Sequence, residues 1–232
     1  MKILAIDSSS VAGSVALYEN GEIKSEYITL DKRTHSETLL PLIDKLKEEV
    51  DLDLDTIDAI AITGGPGSYT GLRIGGATAK GLGLALNKPI INVPTMEALA
   101  YNVVGSSVLV CPIMDARRER VFTGLYKFDG DRISTIKDQC VLTIDELVSE
   151  IDEEVIFLGD GVDAYRKTLD ESLSVAHSFG EDDDNYVKAS SFVKLAKIFF
   201  DEGRVEGADE FAPDYLMLSQ AERELKEKQK ND

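Results

Sequence analysis

Between residues 64 and 76 the chain reads Gly64-Gly65-Pro66-Gly67-Ser68-Tyr69-Thr70-Gly71-Leu72-Arg73-Ile74-Gly75-Gly76. Each glycine costs conformational entropy on folding, so this density implies a need for bare backbone. Three chemistries fit: a phosphate cradle, close packing of another element, or a sharp turn. A P-loop ends in Gly-Lys-Ser/Thr with the lysine on the phosphates, and Gly71 is followed here by Leu72. A dinucleotide fingerprint wants glycines at the first, third and sixth positions; counted from Gly65 the sixth is Thr70, and Gly71 comes one late. What survives is generic anion binding at a helix start, with Asp7, Ser8, Gly65, Gly67 and Ser68 as the residues that could take an anion or nucleotide.

Asp7, at the end of the first apolar segment, is the strongest single candidate for chemistry. In folds that bind ATP between two similar modules, an acid at that place orients magnesium. The alternative is a turn cap shared with Ser8-Ser9-Ser10. Metal and nucleophile motifs fail elsewhere. There are two histidines, His35 and His177. A His-x-x-x-His pair would need a ligand where Leu39 stands. Asp51-Leu52-Asp53-Leu54-Asp55 starts like a calcium loop but has Thr56 and Ile62 where glycine and glutamate belong. No GxSxG elbow occurs.

The elements that must hold these residues follow from periodicity. Ile3–Ile6, Ser14–Leu17 and Ile23–Leu30 read as strands, the last two joined at Asn20-Gly21, a strong hairpin signal. Leu39, Leu42, Ile43 and Leu46 have helical spacing over 35–50, with Pro41 inside. Ala59–Thr63 reads as a buried strand, and a helix from about Thr70 to Leu86 ends at Asn87-Lys88-Pro89. A strand at Ile90–Val93 and a helix capped by Thr95 through Val103 follow. Along the glycine helix Gly71, Gly75, Ala79 and Gly83 recur every fourth residue. That bare stripe suits close packing, either on the chain's own sheet or on a second subunit.

The plan then recurs. With Asp7 set against Asp115, Ile6-Asp7-Ser8 matches Met114-Asp115-Ala116 and Leu17-Tyr18 falls on Leu125-Tyr126. Asn20-Gly21 meets Asp129-Gly130, one residue longer, and Ala61-Ile62-Thr63-Gly64-Gly65 resembles Phe157-Leu158-Gly159-Asp160-Gly161. The expected architecture is α/β, two related βββαβα lobes at 1–104 and 105–220, with a charged tail over 221–232.

Composition narrows the class. The 232 residues carry a net charge of −18. Such a chain, acting alone, is ill-suited to hold RNA or DNA. No apolar run approaches the roughly 18 residues of a membrane span, and a charge at Asp7 interrupts the first apolar run before a signal-peptide core is reached. Two cysteines, Cys111 and Cys140, with no CxxC, suit buried free thiols in a reduced cytoplasm.

Several of these residues carry a resemblance. Met1-Lys2-Ile3-Leu4-Ala5-Ile6-Asp7-Ser8-Ser9, His35-Ser36-Glu37-Thr38-Leu39-Leu40-Pro41, the glycine run with Ala79-Lys80-Gly81, Asp115-Ala116-Arg117-Arg118 and Pro213-Asp214-Tyr215-Leu216 are similar to the TsaB (YeaZ) family. The similarity runs from Met1 to about Glu222. It implies an ASKHA fold (actin-like, Hsp70-like) and a role in making threonylcarbamoyladenosine beside the anticodon of ANN-decoding tRNAs. It implies a non-catalytic subunit paired with the catalytic paralogue TsaD and joined by the ATPase TsaE; no cofactor is expected, with a nucleotide between the lobes or at the complex interface left open, and without the partner the bare face predicts a homodimer. The partner-facing residues expected from it and from the bare stripe are His35, Leu39, Leu42, Leu72, Gly75, Gly76, Ala79 and Gly83. The tRNA would be met mainly through the partner. The absence of a second histidine at Leu39 fits the division of roles that the resemblance implies. Met217 stands where the family often has arginine, and Ser8 and Tyr69 replace threonine and phenylalanine. The alternative expectation is an ATP-dependent kinase or acyl transferase using Asp7 and the glycine loop; no protease constellation is present in the sequence.

Overall fold

The structure, a computed structural model, describes residues 1–30 and 34–217. The charged tail over 221–232, and the terminal helix expected there, lie outside the described residues.

Each half opens with an antiparallel meander. In the first, β1 (Lys2–Asp7), β2 (Gly13–Glu19) and β3 (Glu22–Thr29) are followed by α1 (His35–Glu49), β4 (Ala59–Gly65), α2 (Tyr69–Leu86), β5 (Ile90–Pro94) and α3 (Thr95–Ala100). The second repeats this with β6 (Leu109–Asp115), β7 (Arg120–Asp129), β8 (Arg132–Thr143), α4 (Ile144–Ser149), β9 (Val155–Leu158), α5 (Gly161–Ser172), β10 (His177–Phe179) and α6 (Ala189–Asp201). The sheet orders are β3-β2-β1-β4-β5 and β10-β9-β6-β7-β8, so the βββαβα unit gains a fifth, parallel strand and a closing helix in both halves. Asp7 and Asp115 end the equivalent central strands. Asn20 and Gly21 both have positive φ, as a two-residue hairpin turn requires.

Alternation along β1 shows how the layers stack. Leu4 and Ile6 face α1 and α2 with Leu39, Ile43, Leu46 and Ala79. Ile3 and Ala5 face the other way, into a core that also holds Val110 and Tyr126 of the second sheet and Phe192 and Phe199 of α6. Helices α3 and α6 therefore lie between the sheets, and the second half's last helix packs on β1, β2 and β5 of the first. A third cluster under α4 and α5 completes the outer face of the second sheet.

One cap joins the halves directly. Glu26 on β3 accepts hydrogen bonds from the Ser190 backbone N–H (2.8 Å) and hydroxyl (2.7 Å), satisfying the amino end of α6. Glu26→Ala is expected to lower stability by about 1 kcal/mol, the cost of a lost helix cap, read as a lower urea midpoint with an unchanged slope. Thr95, expected to cap α3, does not. Its hydroxyl accepts from Gly65 N–H at 3.1 Å, Pro94 takes the cap position, and α3 ends at Ala100 before a 3-10 turn to Val103.

After α6 the chain runs back over α2 as an irregular strap, residues 206–217. Ile90 and Glu206 form a two-way backbone bridge, and Lys80 Nζ donates to the carbonyls of Asp209 (2.9 Å) and Phe211 (2.7 Å). The Asp214 N–H then donates to Gly64 O at 2.7 Å.

Candidate functional site

A cleft of about 870 Å³ opens between the halves. Its walls come from Ser9–Val11, from Pro66–Leu72, from Met114–Arg117 with Asp160, and from Asp214–Met217 of the strap. The glycine loop and the Asp115 turn thus meet at one place, as the repeat requires.

Asp7 is not part of that wall. It is fully buried beneath it. Its Oδ1 accepts from the Ser9 N–H (3.1 Å), the Ser9 hydroxyl (2.7 Å) and the Thr63 hydroxyl, while Oδ2 has no partner among the described residues. Burial raises its pKa above the ordinary carboxylate value, against the pull of Thr63 and Ser9. The loop above is zipped to the glycine run: Ser68 N–H donates to Ser9 O at 2.7 Å, and the Ser8 hydroxyl donates to Gly71 O at 2.9 Å. The Asx-type turn onto Ser9 is the capping role the serines suggested.

The glycines are consumed within the chain. An added Cβ would lie 2.3 Å from Ser9 O at Gly67, 2.0 Å from Ser8 O at Gly71 and 2.2 Å from Ser8 Oγ at Gly75. At Gly76 and Gly83 it would meet Phe211 and Ala208 of the strap, at 3.1 and 2.7 Å. Gly65, at φ +120°, lies under the Asp214 carbonyl. Most of the residues expected at a partner face lie inside this chain. Leu39, Leu72, Gly75, Gly76, Ala79 and Gly83 are all buried by the protein's own chain, and only His35 and Leu42 of the eight are partly open. His35 puts Nε2 2.8 Å from Ser10 O, closing the serine loop from outside. The bare outward face is different: Ala77, Gly81, Leu84 and Ala85 on α2 and Leu40 on α1. Gly81 has nothing within 4 Å of its added Cβ.

The second half offers the residues that sequence reasoning passed over. Asp115 accepts from Arg117 N–H (2.8 Å) and pairs with its guanidinium (3.1 Å), and Asp115 N–H donates to Asp160 Oδ1 at 3.1 Å. Burial pushes Asp160 up to about 6, with the Asp115 N–H pulling the other way. The turn beyond is unusual: Arg117, Arg118 and Glu119 have φ of 66°, 57° and 59° in succession. Left-handed backbone costs a non-glycine residue about 1–2 kcal/mol. The internal repeat marks Asp115 and Asp160, and the family resemblance marks Asp115-Ala116-Arg117-Arg118, but neither signals the left-handed turn. At the other lip Arg73 lies over the Tyr69 ring, its guanidinium carbon 4.3 Å from the centroid, and donates to the Tyr69 hydroxyl. Tyr69 and Tyr215 stack at 4.6 Å, and Met217 lines the cleft beside them.

Among the described residues no three His, Cys, Asp or Glu side chains converge, and no helix is long and apolar enough to cross a membrane. Both cysteines are free; Cys111 is buried and pushed up to about 12.

Known proteins resemble this chain in sequence and in fold. A family model described as "TsaD: tRNA N6-adenosine threonylcarbamoyltransferase" matches residues 23–225. The tRNA threonylcarbamoyladenosine biosynthesis protein TsaB of Bacillus subtilis is 34% identical, with 99% of this chain and 100% of that protein covered. The Escherichia coli protein of the same name is 29% identical over 97% and 98%. Among solved structures, YeaZ from Pseudomonas aeruginosa superposes with a TM-score of 0.80 at 27% identity, covering 93% of this chain and 99% of that one. The activator of the 2-hydroxyisocaproyl-CoA dehydratase from Clostridium difficile, solved with ADPNP bound, shares the fold at a TM-score of 0.51 and 10% identity, covering 87% and 98%. Two five-stranded sheets in this order are the ASKHA architecture. The chain belongs to the TsaB (YeaZ) family, whose place is in tRNA threonylcarbamoyladenosine biosynthesis.

Proposed function

We propose that this chain is a non-catalytic, cytoplasmic subunit of the assembly that installs the threonylcarbamoyl group on tRNA. It pairs with TsaD, helps recruit TsaE, and forms a homodimer when alone. Residues 1–104 and 105–220 act as its two lobes. The observation that carries the reading is the closure over Asp7: the acid that would orient a metal in an ATPase is sealed beneath the serine and glycine loops and faces no cleft. The charge of −18 supports a division of labour in which the partner supplies most of the tRNA-binding surface.

The pairing surface in this reading is the outer face of α1 and α2, which pack side by side. Leu40 and Leu84 are 53% and 60% exposed there, and Gly81 leaves a gap that a second backbone can enter. Charge placed on this face tests it without touching the core. Leu40→Glu with Leu84→Glu is expected to leave the chain folded and to abolish co-purification with TsaD; an intact heterodimer with intact tRNA modification would refute the surface. Gly81→Ala, in turn, is expected to stabilise the isolated chain by about 0.5–1 kcal/mol, because an exposed helical glycine is replaced at no steric cost. A higher melting midpoint together with weaker pairing would identify Gly81 as kept for the partner.

A further inference from the structure

The Arg117–Glu119 turn is held in a strained backbone that its own residue types do not favour. Glycine, asparagine or aspartate commonly occupy such backbone, yet two arginines and a glutamate hold it here. The turn is fastened from below. Asp115 accepts the Arg117 N–H and holds one edge of its guanidinium, Tyr165 OH lies 3.4 Å from the same carboxylate, and Ala116 N–H donates to Arg120 O at 2.9 Å. The Ile144 N–H ties Glu119 O at 3.3 Å. All this fixes two outward-facing arginines. Arg117 is 86% exposed, and Arg118, also exposed, makes no hydrogen bond or ion pair among the described residues. Strain retained at an over-determined turn marks function rather than stability.

The location and composition point to the ligand. Arg117, Arg118 and Arg120 are three of four consecutive residues in a chain of net charge −18, so this turn sets three cationic side chains beside the acids Asp115 and Glu119. Guanidinium groups match phosphate oxygens in a planar, two-pronged way that lysine does not. The cleft beside the turn is bordered opposite by the amino end of the 18-residue α2, which also favours negative charge.

We propose that the Arg117–Arg118 turn is this subunit's own contact with the phosphate backbone of the RNA substrate, held in a strained shape by Asp115. The proposal rests on the tRNA-modifying role given above and adds a direct contact to a subunit otherwise too acidic to hold RNA. In this arrangement Asp115, the counterpart of Asp7, serves as the staple of a recognition turn instead of a metal acid.

The test separates stability from binding. Arg118→Gly relieves the left-handed backbone and is expected to raise the melting midpoint of the chain by about 2–4 °C. In the assembly with TsaD it is expected to weaken tRNA binding roughly tenfold at moderate salt and to lower the slope of log affinity against log salt by about one. Arg118→Lys is expected to keep the slope and recover part of the affinity. If the assembly forms and Arg118→Gly binds tRNA with unchanged affinity and slope, the proposal is overturned. If no assembly is recovered, the pairing reading fails, and an unmodified anticodon stem-loop RNA titrated onto the isolated chain at low salt decides instead. Loss of binding in Arg118→Gly supports the turn. Equal binding by both chains overturns it, as does binding by neither. ATP is run alongside; a loss confined to ATP also overturns the RNA contact.

Discussion

Gly71→Ala is expected to cost this protein about 3 kcal/mol or more, for the sake of one methyl group. For a chain of this length that lowers the melting midpoint by at least about 6 °C. The added Cβ would sit 2.0 Å from the Ser8 carbonyl oxygen, which belongs to backbone and has no rotamer to escape into. Moving Ser8 would break the Ser8 hydroxyl bond to Gly71 O and disturb the Ser68–Ser9 backbone bond. Those contacts close the lid on Asp7, so the damage spreads to a buried carboxyl group. Gly75→Leu should be worse, since its first carbon already lies 2.2 Å from Ser8 Oγ. Bulk on this stripe therefore reports on the interior, whereas bulk at Gly81 reports on the outside. Thermal unfolding of Gly71→Ala beside Gly81→Ala makes the comparison on a single helix. A Gly71→Ala midpoint within 2 °C of wild type would mean that the serine and glycine loops separate easily, and the sealed state of Asp7 would fall with them.

That contrast shows what a one-dimensional reading can and cannot see. The four-residue repeat of small side chains announced close packing, and it was right that Gly71, Gly75, Ala79 and Gly83 share a face. It could not say what covers that face. The answer is partly the serine loop some sixty residues earlier and partly the strap, whose irregular backbone has no hydrophobic period to detect. The duplication was legible because strand ends and hairpin turns are local: Asp7 and Asp115, Asn20-Gly21 and Asp129-Gly130. The exchange of α3 and α6 into the space between the sheets was not, since nothing in an apolar helix states which sheet it meets. The Arg117–Glu119 turn was hidden for the opposite reason. Its sequence carries none of the residues that normally signal positive φ, so the conformation is imposed by Asp115 and the flanking strands. Asp160 falls opposite Gly64 in the repeat, and the sequence does not show the burial beside Asp115 that raises its proton affinity.

Asp7 separates the two readings of the whole protein. Asp7→Ala is expected to destabilise by about 3 kcal/mol, because the Ser9 N–H and the Ser9 and Thr63 hydroxyls would lose their common acceptor in a dry site. Asp7→Asn should cost little at neutral pH. Its carbonyl keeps those donors, and a neutral amide replaces a buried carboxylate whose Oδ2 has no partner among the described residues. The pH dependence follows from the raised pKa. The folded state holds this proton to a higher pH than the unfolded chain, whose value is near 3.8. The stabilisation from protonated Asp7 is therefore complete below that value and is lost as pH rises through the folded pKa. Asp7→Asn has no such proton to lose. Its stability relative to wild type should climb from about pH 4 upward and level off once the wild-type carboxyl is ionised in the folded state. Urea unfolding of the pair at half-unit pH steps reads the difference, with the many other carboxylates cancelling. A flat difference, or an asparagine variant as unstable as the alanine one, would contradict a buried proton-holding acid. Magnesium and ATP complete the comparison. If they raised the wild-type melting midpoint and left Asp7→Asn unmoved, the serine and glycine loops would have to open to admit a metal, and the ATP-dependent enzyme would replace the non-catalytic subunit as the better account.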